Sequence, residues 1–195
     1  MHITITGRLG SGKSTVAKIL VEKHGYTYYS TGNIMRELAQ EAGISILEYN
    51  QRCVGDPTED KKIDDRTREV AIRMREQGEN LIFDSRMAWF FAPDTFKVYV
   101  TVDPCVAASR VGIDPRPGEP CSECEIYEEL EARSKVEQQR FIQFYGAGAD
   151  YYDWNNFNLI VDSTSRTPDE IAEIIWTSYE AYKADPAGNS HKEYL

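Results

Sequence analysis

Residues 2–6 (His-Ile-Thr-Ile-Thr) alternate apolar and polar side chains and run straight into a glycine-rich turn, which predicts a short strand followed by a loop. From Lys13 to His24, Val16, Ile19 and Leu20 recur at helical spacing, Lys23 sits in the last turn and Gly25 supplies a stop. Tyr26–Ser30 is aromatic and extended, a second strand. A helix with Ile34, Leu38 and Ala42 on one stripe closes at Gly43, and Ser45–Glu48 has the spacing of a capping box that opens a short helix. After a break at Asp56-Pro57-Thr58, a longer helix carries Ile63, Val70, Ala71 and Met74 and stops at Gly78.

Leu81-Ile82-Phe83 predicts a buried strand ending at Asp84, and Phe96, Val98, Val100 and Val102 alternate with Lys97, Tyr99 and Thr101 as another. Asp103-Pro104 pairs an N-cap with an N1 proline, so a helix starts there. The stretch 112–124 holds three prolines and two glycines and is expected to be irregular. Helical spacing returns from Ile126 through Leu130 to Phe141 and Phe144, and Leu159-Ile160-Val161 is the last strand expected. Thr167-Pro168-Asp169-Glu170 opens a final helix buried through Ile171, Ile174, Ile175, Tyr179 and Tyr182. Such alternation predicts a three-layer α/β sandwich with a mainly parallel sheet, one domain over 1–185 and a frayed polar tail over 186–195.

Charge narrows the partners. The 195 residues include 22 Lys and Arg against 32 Asp and Glu, a formal net charge of −10, which argues against binding a nucleic acid polyanion. No stretch approaches the roughly 20 apolar residues of a membrane span, and the first residues lack the basic start and apolar run of a signal peptide. A soluble cytoplasmic protein is expected, with Cys53, Cys105, Cys121 and Cys124 as free thiols. Cys121 and Cys124 have the spacing of half a zinc site, but no second pair of ligands follows, so two loop thiols are the favoured reading.

The chemistry concentrates in Gly7-Arg8-Leu9-Gly10-Ser11-Gly12-Lys13-Ser14, a full match to G-x-x-x-x-G-K-[ST] between a strand and a helix. Gly7, Gly10 and Gly12 let consecutive N–H groups, including that of Ser11, point inward at phosphate oxygens, and the following helix adds its N-terminal dipole. Lys13 reaches the β- and γ-phosphates, Ser14 places its hydroxyl on Mg²⁺, and Thr15 lies near the α-phosphate. A lysine after three glycines makes little sense as mere packing, so the loop is expected to bind a nucleoside triphosphate. The guanine-reading Asn-Lys-x-Asp motif is absent, and 195 residues leave little room for motor machinery. Arginines scattered through several loops suit phosphoryl transfer to a small acceptor.

Together with Ser30–Glu37, Lys62–Thr67, Asp84-Ser85-Arg86, Phe144-Tyr145-Gly146 and Asn158–Asp162, the phosphate loop gives the chain a resemblance to the cytidylate kinase-like family of nucleoside monophosphate kinases, from Met1 to about Lys183. The resemblance implies a P-loop NTPase fold with a monophosphate-binding segment at about 31–78 and a lid at about 112–150. It implies ATP as donor, CMP or dCMP as acceptor, and Mg²⁺ as cofactor. Arg36 would grip the acceptor phosphate, Asp64 would lie near the acceptor base, Asp84 would orient the water shell of Mg²⁺, and Arg86 would contact the acceptor nucleotide. Two positions depart from the family pattern: Asn33 stands where an aspartate is usual and Ser85 where a glycine is usual.

Each assignment has a competitor. Arg36 has the planar fork for a phosphate clamp, or pairs with an acid such as Glu41. Asp84 stands at a strand end where doubly wound sheets bind ligands, or is a cap. Asp64 and Asp65 are acceptor contacts or solvated charges beside Arg68. Arg133 and Arg140, seven residues apart, share one helix face. The resemblance makes them lid arginines over the transferring phosphoryl group, whereas helical pairing would set Arg133 against Glu129 or Glu137. Arg110 and Arg116 are further candidates. The expected activity is transfer of the γ-phosphoryl of ATP to CMP or dCMP. Its rivals are a kinase for another small acceptor, motivated by Asn33 and Ser85, and a nucleotide-binding sensor without transfer activity.

Overall fold

The computed structural model describes residues 1–44, 48–49, 52–53, 57–92, 94–113, 123–186 and 193–194. Strand β1 (His2–Gly7) leads into α1 (Lys13–His24), followed by β2 (Thr27–Ser30), α2 (Thr31–Glu41) and α3 (Pro57–Glu76). Then come β3 (Leu81–Asp84), a one-turn helix α4 (Ala88–Phe91), β4 (Thr95–Thr101), α5 (Pro104–Ile113) and α6 (Glu123–Tyr145). Strand β5 (Leu159–Asp162), α7 (Pro168–Ala184) and β6 (Glu193–Tyr194) complete the order. The sheet runs β2-β3-β1-β4-β5-β6 and its paired strands are parallel. The three-layer α/β architecture expected of the chain is therefore the one it has.

Local chemistry starts the helices where the sequence placed them. Asp103 Oδ1 accepts from the N–H groups of Cys105 at 2.9 Å and Val106 at 3.2 Å, capping α5. Thr167 and Glu170 form a reciprocal capping box at α7. Alternation along β4 then sorts side chains between two cores. Phe96, Val98 and Val100 join Ile3, Ile5, Val16, Leu20, Ile175 and Tyr179 beneath α1 and α7. Tyr99 faces the other way, into an aromatic cluster with Trp89, Phe141, Tyr151 and Phe157 beneath α4 and α6. Each fully buried Ile or Leu in these layers contributes roughly 1.5–3 kcal/mol, which fixes the strand ends that carry the chemistry.

Four details differ from the sequence expectation. Strand β1 is buried at all six positions, not on one face, because it is central and covered on both sides. Its Thr6 hydroxyl is accommodated there by donating to the Ser85 carbonyl at 2.8 Å. Helix α4 occupies a stretch the hydrophobic pattern left unassigned: Ser85 Oγ accepts from the N–H groups of Met87 at 3.2 Å and Ala88 at 3.1 Å and starts the turn. The stretch 112–124 is helical at both margins, since α5 runs through Ile113 and α6 begins at Glu123. The tail, expected to fray, places Glu193 and Tyr194 beside Leu159 and Ile160 as a sixth strand. The capping box expected at Ser45 lies largely outside the described residues, which show helix at 48–49 and 52–53 with Tyr49 and Cys53 buried.

Candidate active site

Strands β1 and β3 are neighbours, with Ile5 in register with Asp84, so the end of one delivers the glycine-rich loop beside the end of the other. This is the C-terminal edge of a parallel sheet, where such folds bind ligands. The loop packs tightly on its surroundings. A Cβ on Gly7 would sit 2.1 Å from the Val100 carbonyl oxygen. Gly10 has a φ of +74°, and a Cβ there would come 2.8 Å from the Ala107 Cβ. Gly12 ends the loop as the N-cap of α1, which has neither a side-chain cap nor an acidic residue in its first turn. The N-terminal N–H groups of α1 are thus presented to an anion. Ser11 is 1% exposed and its Oγ has no hydrogen-bond partner among the described residues, a polar atom buried at the floor of the loop.

Ser14, in the first turn of α1, donates its hydroxyl hydrogen to Asp84 Oδ2 at 2.5 Å. The Tyr28 hydroxyl donates to the same oxygen at 2.8 Å. Asp84 is buried at the end of β3, and Tyr28 approaches it from β2. Burial and the Asp84 carboxylate together push the Tyr28 phenol up to about 12, so it is a standing donor. The two residues expected to organise Mg²⁺ are therefore brought together, and a hydroxyl with a carboxylate is a hard oxygen pair of the kind that ion takes. Among the described residues no group of three or more His, Cys, Asp or Glu side chains could cage a metal. The pair fits an ion that keeps waters and phosphate oxygens for its remaining ligands.

The residues expected on the acceptor side are each engaged within the protein. Arg36 Nη2 donates to Asn33 Oδ1, so its partner is the residue that departs from the family pattern and not Glu41. Asp64 is 8% exposed and accepts from the Tyr145 hydroxyl at the end of α6, so it is no solvated surface charge. Arg86 donates from Nη1 to the Gly7 carbonyl and from Nε to Glu137 Oε2 at 3.0 Å. Its guanidinium lies 5.9 Å from the centre of the Tyr151 ring. Ser85, the other departure, caps α4 as described above.

Arg133 pairs through Nε with Glu137 Oε1 at 3.1 Å, the helical pairing weighed against its role in a lid. Arg140 lies 5.1 Å from the Phe141 ring centre and also bears on Glu137. Burial pushes the Glu137 carboxyl up, but the guanidiniums of Arg86 and Arg133 overcome it and hold the group below the ordinary carboxylate range. Arg8, within the loop, reaches Glu131 of α6 at 3.9 Å. Arg110 is turned away from the site, donating to the Ser163 hydroxyl at 3.1 Å and to its carbonyl at 2.7 Å. Arg116, Cys121 and the side chain of Cys124 lie outside the described residues. Tyr28, the contact of Tyr145 with Asp64 and the second partner of Glu137 escaped sequence reasoning. Only the placement of Tyr28 two residues before Ser30, on the same face of β2, could have hinted at the first.

The sequence model of the cytidylate kinase-like family matches residues 2–165. A cytidylate kinase of Archaeoglobus fulgidus is 33% identical over 184 residues, covering 94% of this chain and 97% of that protein. One from Sulfurisphaera tokodaii is 35% identical over 182 residues, covering 93% and 94%. Among solved structures, shikimate kinase from Bacteroides thetaiotaomicron superposes with a TM-score of 0.61 at 17% identity, covering 94% of this chain and 98% of that one, a likeness of fold. The chain is thus a P-loop phosphotransferase acting on a small acceptor, which sets aside the sensor without transfer activity. From its motifs, their placement and these relatives together, the chain belongs to the cytidylate kinase-like family.

Proposed function

We propose that the protein is a nucleoside monophosphate kinase that moves the γ-phosphoryl group of ATP, with Mg²⁺, onto CMP or dCMP. The observation that carries this reading is the convergence of the phosphate loop, the Ser14–Asp84 pair and Arg86 at one sheet edge. It is supported by full-length likeness to cytidylate kinases. Lys13 and the loop N–H groups hold the triphosphate, and Thr15 lies at the α-phosphate. Ser14 and Asp84 hold Mg²⁺, Asp84 through water, and the ion when bound neutralises phosphate charge. Segment 31–78 receives the acceptor through Arg36, Asp64 and Arg86, and segment 112–150 closes over it with Arg133 and Arg140.

No protein nucleophile is required. An acceptor phosphate oxygen attacks the γ-phosphorus, the bond from that phosphorus to the β–γ bridging oxygen breaks, and ADP leaves. The protein contributes position and charge neutralisation, and closure excludes water that would otherwise hydrolyse ATP. Cytoplasmic residence fits the free thiols of Cys53 and Cys105.

A second reading, transfer to a different small acceptor, is favoured by one observation. The Arg36 guanidinium rests on Asn33, where the family pattern has a carboxylate, so the charge beside the acceptor is altered. ADP release from Mg·ATP with CMP, dCMP, UMP, AMP and GMP in turn, beside a control without acceptor, separates the two. Release that depends on CMP or dCMP supports the proposal. A panel no faster than the control, over tight ATP binding, overturns the cytidine assignment.

A further inference from the structure

Glu137 is a junction. Its Oε2 accepts from Arg86 at 3.0 Å and its Oε1 from Arg133 at 3.1 Å, while its side chain is only 15% exposed. Helical spacing explains Arg133, one turn away, but not Arg86, 51 residues distant at the end of β3. Arg86 continues the path by donating to the carbonyl of Gly7, the first residue of the phosphate loop. One carboxylate thus ties α6 to that loop through a guanidinium 17% exposed. Without it, the guanidiniums of Arg86, Arg133 and Arg140 would lose the carboxylate they share, beside a loop already built to attract anions.

We infer that Glu137 is a positioning residue that holds Arg86 at the phosphate loop and ties Arg133 to it, with part of their charge offset, until substrate phosphates take these guanidiniums over. This rests on the reading of that loop as the site of phosphoryl transfer. Charge balance before substrate arrives keeps the arginines from binding the triphosphate in unproductive ground-state contacts. Binding energy realised there would not lower the barrier to transfer.

The test compares Glu137→Gln and Glu137→Asp with the unmodified chain. ATP affinity is measured by calorimetry without acceptor, and kcat with whichever acceptor the unmodified protein turns over. Gln keeps the shape and removes the charge. ATP binding should tighten about three- to tenfold, as one compensating charge is lost in a partly solvated site, while kcat falls by about tenfold or more. Asp keeps the charge but is one methylene too short to span both arginines, so ATP affinity should stay near that of the unmodified chain while kcat falls several-fold. A merely structural ion pair would predict weaker ATP binding, or none of these changes, and either result from Glu137→Gln overturns the inference. Should Glu137→Gln not fold, Glu137→Asp decides, and an unchanged kcat overturns it. ATP affinity needs no acceptor, so a protein that ignores every nucleotide in the panel would refute the proposed acceptor and leave the Glu137 result standing.

Discussion

Ser14 and Asp84, 70 residues apart in the chain, meet hydroxyl to carboxylate at 2.5 Å where the central strands end. The Ser14 hydroxyl hydrogen thus occupies a carboxylate oxygen of Asp84 that faces the phosphate loop. Asp84→Asn preserves size and can still accept from Tyr28, so the fold should survive, whereas the charge proposed to draw in Mg²⁺ is gone. Turnover should fall about a hundredfold or more, the scale of a lost electrostatic contribution in a catalytic site. The Mg²⁺ concentration for half-maximal rate should rise. Rates across a Mg²⁺ titration, with Mn²⁺ binding followed by electron paramagnetic resonance, check both; equal Mn²⁺ affinity would remove Asp84 from the metal site.

Tyr28→Phe removes one of the two donors to Asp84 Oδ2. A hydrogen bond to a charged acceptor contributes roughly 1.5–3 kcal/mol, so denaturant unfolding should show a loss of about that size. The Mg²⁺ requirement should also shift upward, but less than in Asp84→Asn.

Gly10→Ala tests the fit of the loop against α5. The substitution places a side chain in the left-handed region and against Ala107. It should cost about 2 kcal/mol or more in stability and weaken ATP binding. Thermal unfolding with and without Mg·ATP measures the two effects separately. A variant with unchanged stability and affinity would mean that the loop relaxes freely.

Arg36→Ala should weaken acceptor binding far more than ATP binding, read as a rise in acceptor KM with ATP affinity held. Equal losses for both ligands would mean that Arg36 is not the acceptor clamp.

Acid should destabilise the fold in two stages. His2 is buried beside Ala71 and Leu81, accepting the Leu81 N–H on Nδ1 and hydrogen-bonded through Nε2 to the Ala71 carbonyl, a neutral tautomer. Burial lowers its proton affinity below the ordinary 6.5, so the unfolded chain takes up the proton first and stability declines as pH falls below about 6.5. Glu137 is likewise lowered from 4.5, so its contribution is fully present above that pH and is lost as the pH falls through its lower folded value. Urea unfolding at a series of pH values checks this. His2→Gln should flatten the upper stage.

The sequence made the framework readable because strands, caps and the phosphate loop are written in short local patterns. His2–Thr6, Asp103-Pro104 and Thr167–Glu170 each need only their immediate neighbours to declare an element. Helix α4 was not readable, since six apolar residues in a row at 87–92 have no period and its capping residue, Ser85, also suits a loop. For the candidate site, the sequence offered residues but not their wiring. Asp84 could be named from the strand end and Arg86 from the family resemblance, but which side chains hold them depends on Tyr28 and Glu137, brought in by the sheet order and by the return of α6. The helical pairing of Arg133 was legible as an alternative and is present. Its sharing of Glu137 with Arg86, just beyond β3, is a tertiary fact that no spacing encodes.

The parallel sheet has a consequence for how the chain reaches this state. The Leu81 N–H that bonds His2 lies 79 residues downstream, and the Tyr179 hydroxyl that closes on the Met1 carbonyl lies 178 residues away. The central strand therefore emerges from a ribosome long before either neighbour exists. Its two backbone edges must wait unpaired, with contact order high and loop closure costly. Folding should be slow for a chain of this size. Chaperone dependence should be greatest in variants that weaken β1, including those with no effect on the finished fold's chemistry.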